Sequence, residues 1–232
     1  MLTARSWRSR RAVSVAGIVF AVLLIAALTM VRIAVVEPTF GEIQHDAARQ
    51  TLIQISLALV PFAGIAFLWF IGVLREQVGM IDEDRLFTTV FLGSGLLFLA
   101  MLFLAAVTLT SMLDMLAAPH PNADIWAFDR GTAQTLISVY AMRMAAVFTL
   151  SVSTLVLRTG AMPRWVAFLG YAVGLTLLIA AGEHKWVQLA FPAWVLLVSV
   201  VLLLTRPAAR PTPSAPEPSA ESSPQPAADT PA

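Results

Sequence analysis

The sequence lacks cysteine and is poor in charge. None of its 232 residues is a cysteine, which excludes disulfides, thiolate nucleophiles, iron–sulfur clusters and Cys-ligated zinc. Only 12% of the residues are charged, against roughly 25% in soluble domains. The net charge of +1 provides no field that would attract nucleic acid, so we expect no nucleic-acid partner. Apolar residues make up 58% of the chain, and this composition indicates a membrane protein.

Six apolar stretches meet or approach the length of about 20 residues that crosses a hydrocarbon core of about 30 Å. Their uninterrupted apolar character lacks the alternation of barrel strands, and lipid offers no partner to an unpaired backbone group, so they must be helices. The fifth stretch is the shortest, and the polar segment 182–185 separates it from the sixth. The predicted fold is an all-α, polytopic transmembrane bundle with spans at 14–36, 51–74, 86–113, 132–157, 165–181 and 186–205.

The distribution of Lys and Arg predicts the orientation of these spans. Ten of the fifteen lie on the side that holds both termini, three lie on the other side, and Arg32 and Arg143 lie inside spans. The positive-inside rule therefore places both termini in the cytoplasm. After the sixth span the chain becomes rich in Pro, Ala and Ser and cannot bury a core. We divide the chain into a basic cytoplasmic N-terminus, a transmembrane domain and a disordered cytoplasmic tail, at residues 1–13, 14–205 and 206–232.

Arg143 is the main anomaly, because it lies near the middle of the fourth span. A charge there costs about 2.5–3.5 kcal/mol unless it faces a partner or a wet cavity. No acidic residue lies deep in another span, but Pro61 lies at a similar depth in the second span and frees the Leu57 carbonyl. We therefore expect one polar pocket, open toward the outer leaflet and lined by Arg143, Tyr140, Gln54, Ser56 and the Leu57 carbonyl beside Pro61.

Three functions follow from these residues. The first is non-enzymatic binding or passage of an amphipathic or anionic small molecule, or a membrane lipid, at the pocket around Arg143. The second is a structural or accessory role, in which Arg143 contacts a partner membrane protein; a homo-oligomer is also open. The third is a metal-dependent hydrolase on the outer face, with the metal held by His45, His120 and His184.

The hydrolase is the weakest of the three, because no H-x-x-x-H or H-E-x-x-H pair occurs and solvated loop histidines explain the pattern. We expect no catalytic residue and no cofactor. An intramembrane haem would need histidines inside spans, and the predicted spans contain none.

Other features are expected to be structural. Arg32, near the outer end of the first span, can reach Glu37 or the lipid headgroups. Gly17 and the Gly170-x-x-x-Gly174 motif allow close helix contacts within one chain. The connection 114–131 has an apolar patch flanked by charges, which is typical of a short segment lying on the outer interface.

Three stretches of the sequence resemble a group of uncharacterised, multi-pass bacterial membrane proteins, most of them actinobacterial. They run from Pro61 to Phe70, from Val139 to Met144, and through Leu157-Arg158-Thr159-Gly160, Pro163-Arg164-Trp165 and Gly170-Tyr171. The resemblance extends over about residues 10–205 and excludes the tail. It implies a compact helical fold in the bacterial plasma membrane, and it brings no catalytic or binding residue with it.

Overall fold

The structure, a computed structural model, describes residues 2–35, 38–77, 85–160, 162–182 and 186–204. These residues form helices and short connections, and none of them lies in a strand. A π-helical segment, Leu136–Ala141, joins α5 to α6, and a 3₁₀ turn, Val187–Leu189, precedes α8. The helices are α1 Leu2–Val35, α2 Phe40–His45, α3 Ala47–Gln77, α4 Arg85–Ala117, α5 Ala123–Thr135, α6 Met142–Thr159, α7 Arg164–Ile179 and α8 Ala190–Leu204.

Among the residues that the structure describes, five helical segments are long and apolar enough to cross a membrane, which confirms the predicted all-helical fold of the membrane type. Each corresponds to one predicted span. The remaining predicted span, 165–181, corresponds to α7, a shorter apolar helix of 16 residues. The five segments are Ser14–Val35, Ala47–Arg75, Phe87–Ala117, Ala123–Thr159 and Val187–Leu204.

The fourth of these segments is longer than predicted. It combines α5, the π-helical segment and α6 into a rod of 37 residues, about 55 Å at 1.5 Å per residue. Asn122 starts the rod, because its Oδ1 accepts hydrogen bonds from the backbone N–H groups of Asp124 at 2.8 Å and Ile125 at 3.2 Å. The interfacial segment predicted within 114–131 is therefore corrected: from Ala123 onward the chain already belongs to the fourth helix.

A cluster of phenylalanines forms the centre of the bundle. Phe67 of α3 lies at the middle of the cluster, with its ring centroid 4.4–6.3 Å from those of five other members. Because the rings come from α1, α3, α4, α6 and α8, the cluster ties five helices together. Its members, each at most 1% exposed, are Phe20, Phe67, Phe70, Phe91, Phe98, Phe148 and Phe191.

Glycines allow the closest helix contacts. A Cβ on Gly170 of α7 would overlap the Ser153 hydroxyl of α6, and a Cβ on Gly174 would lie 2.8 Å from Leu150 Cγ. A Cβ on Gly17 of α1 would likewise overlap a side chain of α8. The expectation that these small residues serve contacts within one chain is confirmed.

A second hydrophobic cluster, which we call the cap cluster, covers the end of the bundle where α2 lies. We call this end the α2 end. Arg49 Nη1 donates to the Ile33 carbonyl at 3.1 Å, and Arg130 Nη1 donates to the Pro38 carbonyl at 3.2 Å. These bonds fix the connections over α1, α3 and α5. The cap cluster consists of Ala34, Val35, Ile43, Ile53, Leu109, Met112, Leu116, Trp126 and Ala133.

Candidate functional site

Arg143 and Tyr140 lie on the outer surface of the bundle. Tyr140 is 53% exposed, and Arg143 is also exposed. Within the described ranges, the Arg143 side chain makes no hydrogen bond and no ion pair. Side chains of a helix lean toward its N-terminus, so Arg143 leans toward the α2 end along a surface that a single copy leaves uncovered.

The other predicted pocket residues lie on α3 and separate into two groups. Gln54 and Pro61 are exposed. Ser56 is buried and donates to the Ile53 carbonyl at 2.7 Å, and it lines a small apolar cavity together with Leu57. The structure therefore brings Ser56 and Leu57 together but leaves Arg143, Tyr140, Gln54 and Pro61 on outer surfaces, so the single pocket predicted from the sequence is corrected.

The π-helical segment explains where Tyr140 and Arg143 lie. A π-helical turn contains one residue more than the α-helical pattern, which rotates the following residues by about 100°. In this segment Ile137 and Ala141 are buried, whereas Tyr140 faces outward. A regular α-helix through the whole span would give Arg143 a different direction.

A different polar site lies at the α2 end, between α1, α4, the rod and the 3₁₀ turn. It is a cleft of about 30 Å³. Its polar groups come from three distant parts of the chain, so the sequence alone does not show that they lie together. We call it the Arg32 cleft. Gln134 is exposed, Arg32 and Ser138 are half-buried, and Gln188 is only 8% exposed. The cleft is lined by Leu28, Val31, Arg32, Val35, Leu109, Ala133, Gln134, Ile137, Ser138 and Gln188.

Arg32 is held at the mouth of the cleft by its position and by an aromatic ring. It lies in the last turn of α1, where a cation interacts favourably with the helix dipole. Its Cζ lies 5.4 Å from the ring centroid of Trp186, a cation–π distance. The only ion pair among the described side chains joins Arg49 to Asp46, so Arg32 has no described acidic partner. Glu37, its predicted partner, lies outside the described residues.

An apolar cavity of about 20 Å³ adjoins the Arg32 cleft. The two share the side chains of Leu28, Val31, Leu109 and Ile137 as a common wall. Each volume accommodates about one water molecule, so an alkyl chain enters only when these four side chains move apart. The cavity is lined by Leu24, Ala27, Leu28, Val31, Ser56, Leu57, Val60, Leu102, Ala106, Leu109 and Ile137.

Two carboxylates at the α2 end, Asp46 and Glu42, accept hydrogen bonds from backbone N–H groups at the starts of helices. Backbone N–H donation from Arg49 is the main cause that lowers the pKa of Asp46, and the Arg49 guanidinium at 2.9 Å adds to it. Donation from the Thr39 N–H at 2.7 Å lowers the pKa of Glu42. Because the pKa of each carboxyl group is lower in the folded than in the unfolded protein, these contacts stabilise the fold fully when the pH lies above the ordinary carboxylate pKa. The stabilisation is lost as the pH falls through the lowered pKa of the folded protein.

The histidines of the hydrolase hypothesis do not form a group among the residues the structure covers. His45 lies on α2, with Nδ1 2.9 Å from the Gly41 carbonyl oxygen, and His120 is exposed in the turn after α4. His184 lies outside the described residues. Within the described ranges, no three His, Asp or Glu side chains come close enough to hold a metal ion.

Comparison with known proteins adds no relative. No protein-family model, curated protein or solved structure matches this chain. The fold defines the class, a helical protein with several apolar helices long enough to cross a membrane. The resemblance to actinobacterial membrane proteins stays a prediction from the residues quoted above.

Proposed function

We propose that this chain is a bacterial plasma-membrane protein that binds an amphipathic anion, such as a lipid, in the Arg32 cleft. The negative head contacts Arg32, and the alkyl chain enters the apolar cavity between α1, α3 and α4. The observation that carries this proposal is a guanidinium without a described acidic partner at the mouth of a cleft that leads to an apolar interior. The proposed activity is binding, with no catalytic residue.

The polar groups of the cleft suit a phosphate or carboxylate head. Arginine presents planar donors that match these oxyanions, and the cation–π contact of Arg32 with Trp186 uses none of its N–H groups as a hydrogen-bond donor to an acceptor atom. Gln134, Ser138 and Gln188 add neutral hydrogen-bonding groups around the head. A neutral amphipath would gain the apolar contacts but not the charge-assisted hydrogen bonds, so the cleft should discriminate by charge.

The binding proposal predicts a charge-dependent thermal shift with decyl phosphate as the probe. In neutral detergent, decyl phosphate should raise the melting temperature of the wild type. The variant Arg32→Gln should need roughly ten- to a hundred-fold more probe for the same shift, because charge-assisted hydrogen bonds contribute about 1.5–3 kcal/mol. The variant Arg49→Gln is the matched control, since Arg49 contacts Asp46 and Ile33 instead. Equal shifts for wild type and Arg32→Gln would contradict the proposal.

We further propose six crossings, with α7 as the fifth and with both termini in the cytoplasm. The Tyr171 hydroxyl lies 2.7 Å from Thr154 Oγ1, and further along the chain a Cβ on Gly182 would lie 3.3 Å from Val139 Cγ2. The segment that begins with α7 thus runs antiparallel to the rod along 15 residues, about 23 Å. That length supports a crossing, and the positive-inside distribution supports the orientation.

Single cysteines test this topology cleanly, because the native chain has none. With six crossings, Gly41→Cys should react with a membrane-impermeant maleimide in intact cells, whereas Ser9→Cys and Ser214→Cys should react only after lysis. Gly41 is suitable because its Cβ would meet open space. Labelling of Ser214→Cys but not Ser9→Cys in intact cells would indicate an odd number of crossings and contradict the topology.

The second candidate function is an accessory subunit of a membrane complex. Its supporting observation is the exposure of Arg143 and Tyr140 on one surface, where an acidic residue of a partner would remove the cost of a charge in lipid. This function predicts that wild type, but not Arg143→Leu, retains a second protein in mild detergent.

A further inference from the structure

We infer that the apolar cavity beside the Arg32 cleft measures chain length, so that the bound anion carries one straight alkyl chain of about ten carbons. The inference rests on the proposed function and names the tail that the site selects. Its starting point is the direction of the cavity, which extends along α1 and α4 away from Arg32 toward the phenylalanine cluster.

The lining of the cavity has the same length on two helices. On α1 it extends from Val31 to Leu24, and on α4 it extends from Leu109 to Leu102. In each stretch the first and last residues are seven positions apart, about 10 Å at 1.5 Å per residue. Both helices run toward the α2 end, where both contribute to the cap cluster. Leu24 and Leu102 therefore form the far end of the cavity.

Three phenylalanine rings close this far end. Phe20 lies one helical turn beyond Leu24, and Phe98 lies one turn beyond Leu102. The ring centroid of Phe67, from α3, lies 4.4 Å from that of Phe20 and 5.4 Å from that of Phe98. All three rings are fully buried. A chain that passed them would have to separate rings that join α1, α3 and α4, so we expect the chain to stop there.

The sides of the cavity are enclosed by the bundle. Eight of the eleven lining side chains are buried, so a chain in the cavity lies between helices rather than among lipids. The polar member of the lining, Ser56, already donates to the Ile53 carbonyl at 2.7 Å. The apolar side chains of the wall have no packing partner on the side of the void, so they move aside more easily than the contacting rings.

The depth of the site sets the preferred chain length. Leu24 lies eight positions before Arg32 on α1, about 12 Å along the helix axis. An extended chain advances about 1.2 Å per bond, since the three backbone bonds of a residue span about 3.6 Å. About ten carbons therefore fill the distance from the head at Arg32 to the far end. A longer chain must fold back against packed side chains, which lowers its affinity.

The test offers the full-length protein in neutral detergent a mixture of hexyl, octyl, decyl, dodecyl and tetradecyl phosphate. Native mass spectrometry resolves the adducts by mass, and each abundance is divided by the concentration of that phosphate in the micelles. A micelle solvates every chain, so a site without a length limit gives equal values. Wild type should retain tetradecyl phosphate about ten-fold less than decyl phosphate, because overfilling a packed interior costs about this much.

Ala27→Leu shortens the cavity and should change the preference. Ala27 lines the cavity and is 2% exposed, and it lies five positions before Arg32, at the depth of about six carbons. The decyl-to-hexyl ratio should therefore fall about ten-fold in this variant. Ala100→Leu makes the same change at an exposed position of α4, so this control should keep the ratio of the wild type.

The outcomes separate the tail from the site itself. Equal retention of decyl and tetradecyl phosphate by wild type would overturn the inference and leave the proposed function standing, since the adducts still form. An unchanged decyl-to-hexyl ratio in folded Ala27→Leu would overturn it too. If Ala27→Leu does not fold, the wild-type comparison decides alone. Absence of all five adducts from wild type, or their full retention by Arg32→Gln, would contradict the proposed function instead.

Discussion

Phe67→Ala should lower the free energy of unfolding by about 3 kcal/mol. Removal of a fully buried ring leaves a cavity that its neighbours fill only in part, and Phe→Ala changes in soluble cores cost about 3–5 kcal/mol. We expect a loss at the lower end of this energy range, because detergent and lipid solvate apolar side chains when the helices separate. Phe67 has the largest effect because its ring contacts five others, one from its own helix and four from four further helices.

Equilibrium unfolding in mixed dodecyl sulfate and dodecyl maltoside micelles measures this change. Phe62→Ala is the matched control, because Phe62 lies on the same helix but is 63% exposed. We expect the control to lose less than about 0.5 kcal/mol, as is typical of surface substitutions. Equal losses for the two variants would show that the phenylalanine cluster is not the centre of the packing.

Gly170→Ala should lower the free energy of unfolding by about 1–3 kcal/mol, although alanine is the better helix former. The added Cβ would overlap the Ser153 hydroxyl and lie 3.0 Å from Trp194 Nε1, so α7 must move away from α6 and α8. Inserting atoms into a tightly packed contact costs about this amount. The gain in helix propensity, roughly 0.5–1 kcal/mol, offsets only part of it.

Gly72→Ala is the control that separates the packing cost of a Gly→Ala change from its gain in helix propensity. A Cβ on Gly72 would meet nothing within 4 Å, so only the gain in helix propensity remains. Measured by the same unfolding titration, this variant should be as stable as wild type or slightly more stable. If Gly170→Ala is also stabilising, then α7 does not pack on α6 at this glycine, and the support for α7 as a crossing is lost as well.

The sequence predicted the helices better than their extent. Each apolar stretch predicts a helix because lipid leaves the backbone no alternative, and a helix occupies each of the six stretches. The sequence does not reveal the start of the rod at Ala123, because the charges and the apolar patch of the 114–131 connection indicate an interfacial segment. The signal that was available is Asn122, a preferred N-cap residue.

The direction of Arg143 was beyond sequence reasoning. The depth of Arg143 in its span follows from counting residues along the sequence. The direction of its side chain depends on its rotation about the helix axis, and the π-helical segment Leu136–Ala141 shifts this rotation by one residue. No motif marks such a segment. Ser56 and Leu57 were identified as pocket residues, and they line a cavity, but on a wall shared with a different arginine.

Arg32 was interpreted from the sequence as a side chain that reaches the headgroups. Its neighbours Gln134, Ser138 and Gln188 lie more than 100 residues away in the sequence, so only the packed structure brings them to one cleft. Contacts between distant segments, rather than local patterns, define this cleft.

The most direct test of the central proposal is native mass spectrometry of the protein released from lipid nanodiscs, with wild type, Arg32→Leu and Arg143→Leu at matched expression. We predict that wild type and Arg143→Leu retain an adduct with the mass of an anionic lipid, and that Arg32→Leu loses it while remaining folded. Retention of the adduct by Arg32→Leu, with loss from Arg143→Leu, would contradict the account. A second protein held by wild type without any lipid adduct would favour the accessory subunit instead.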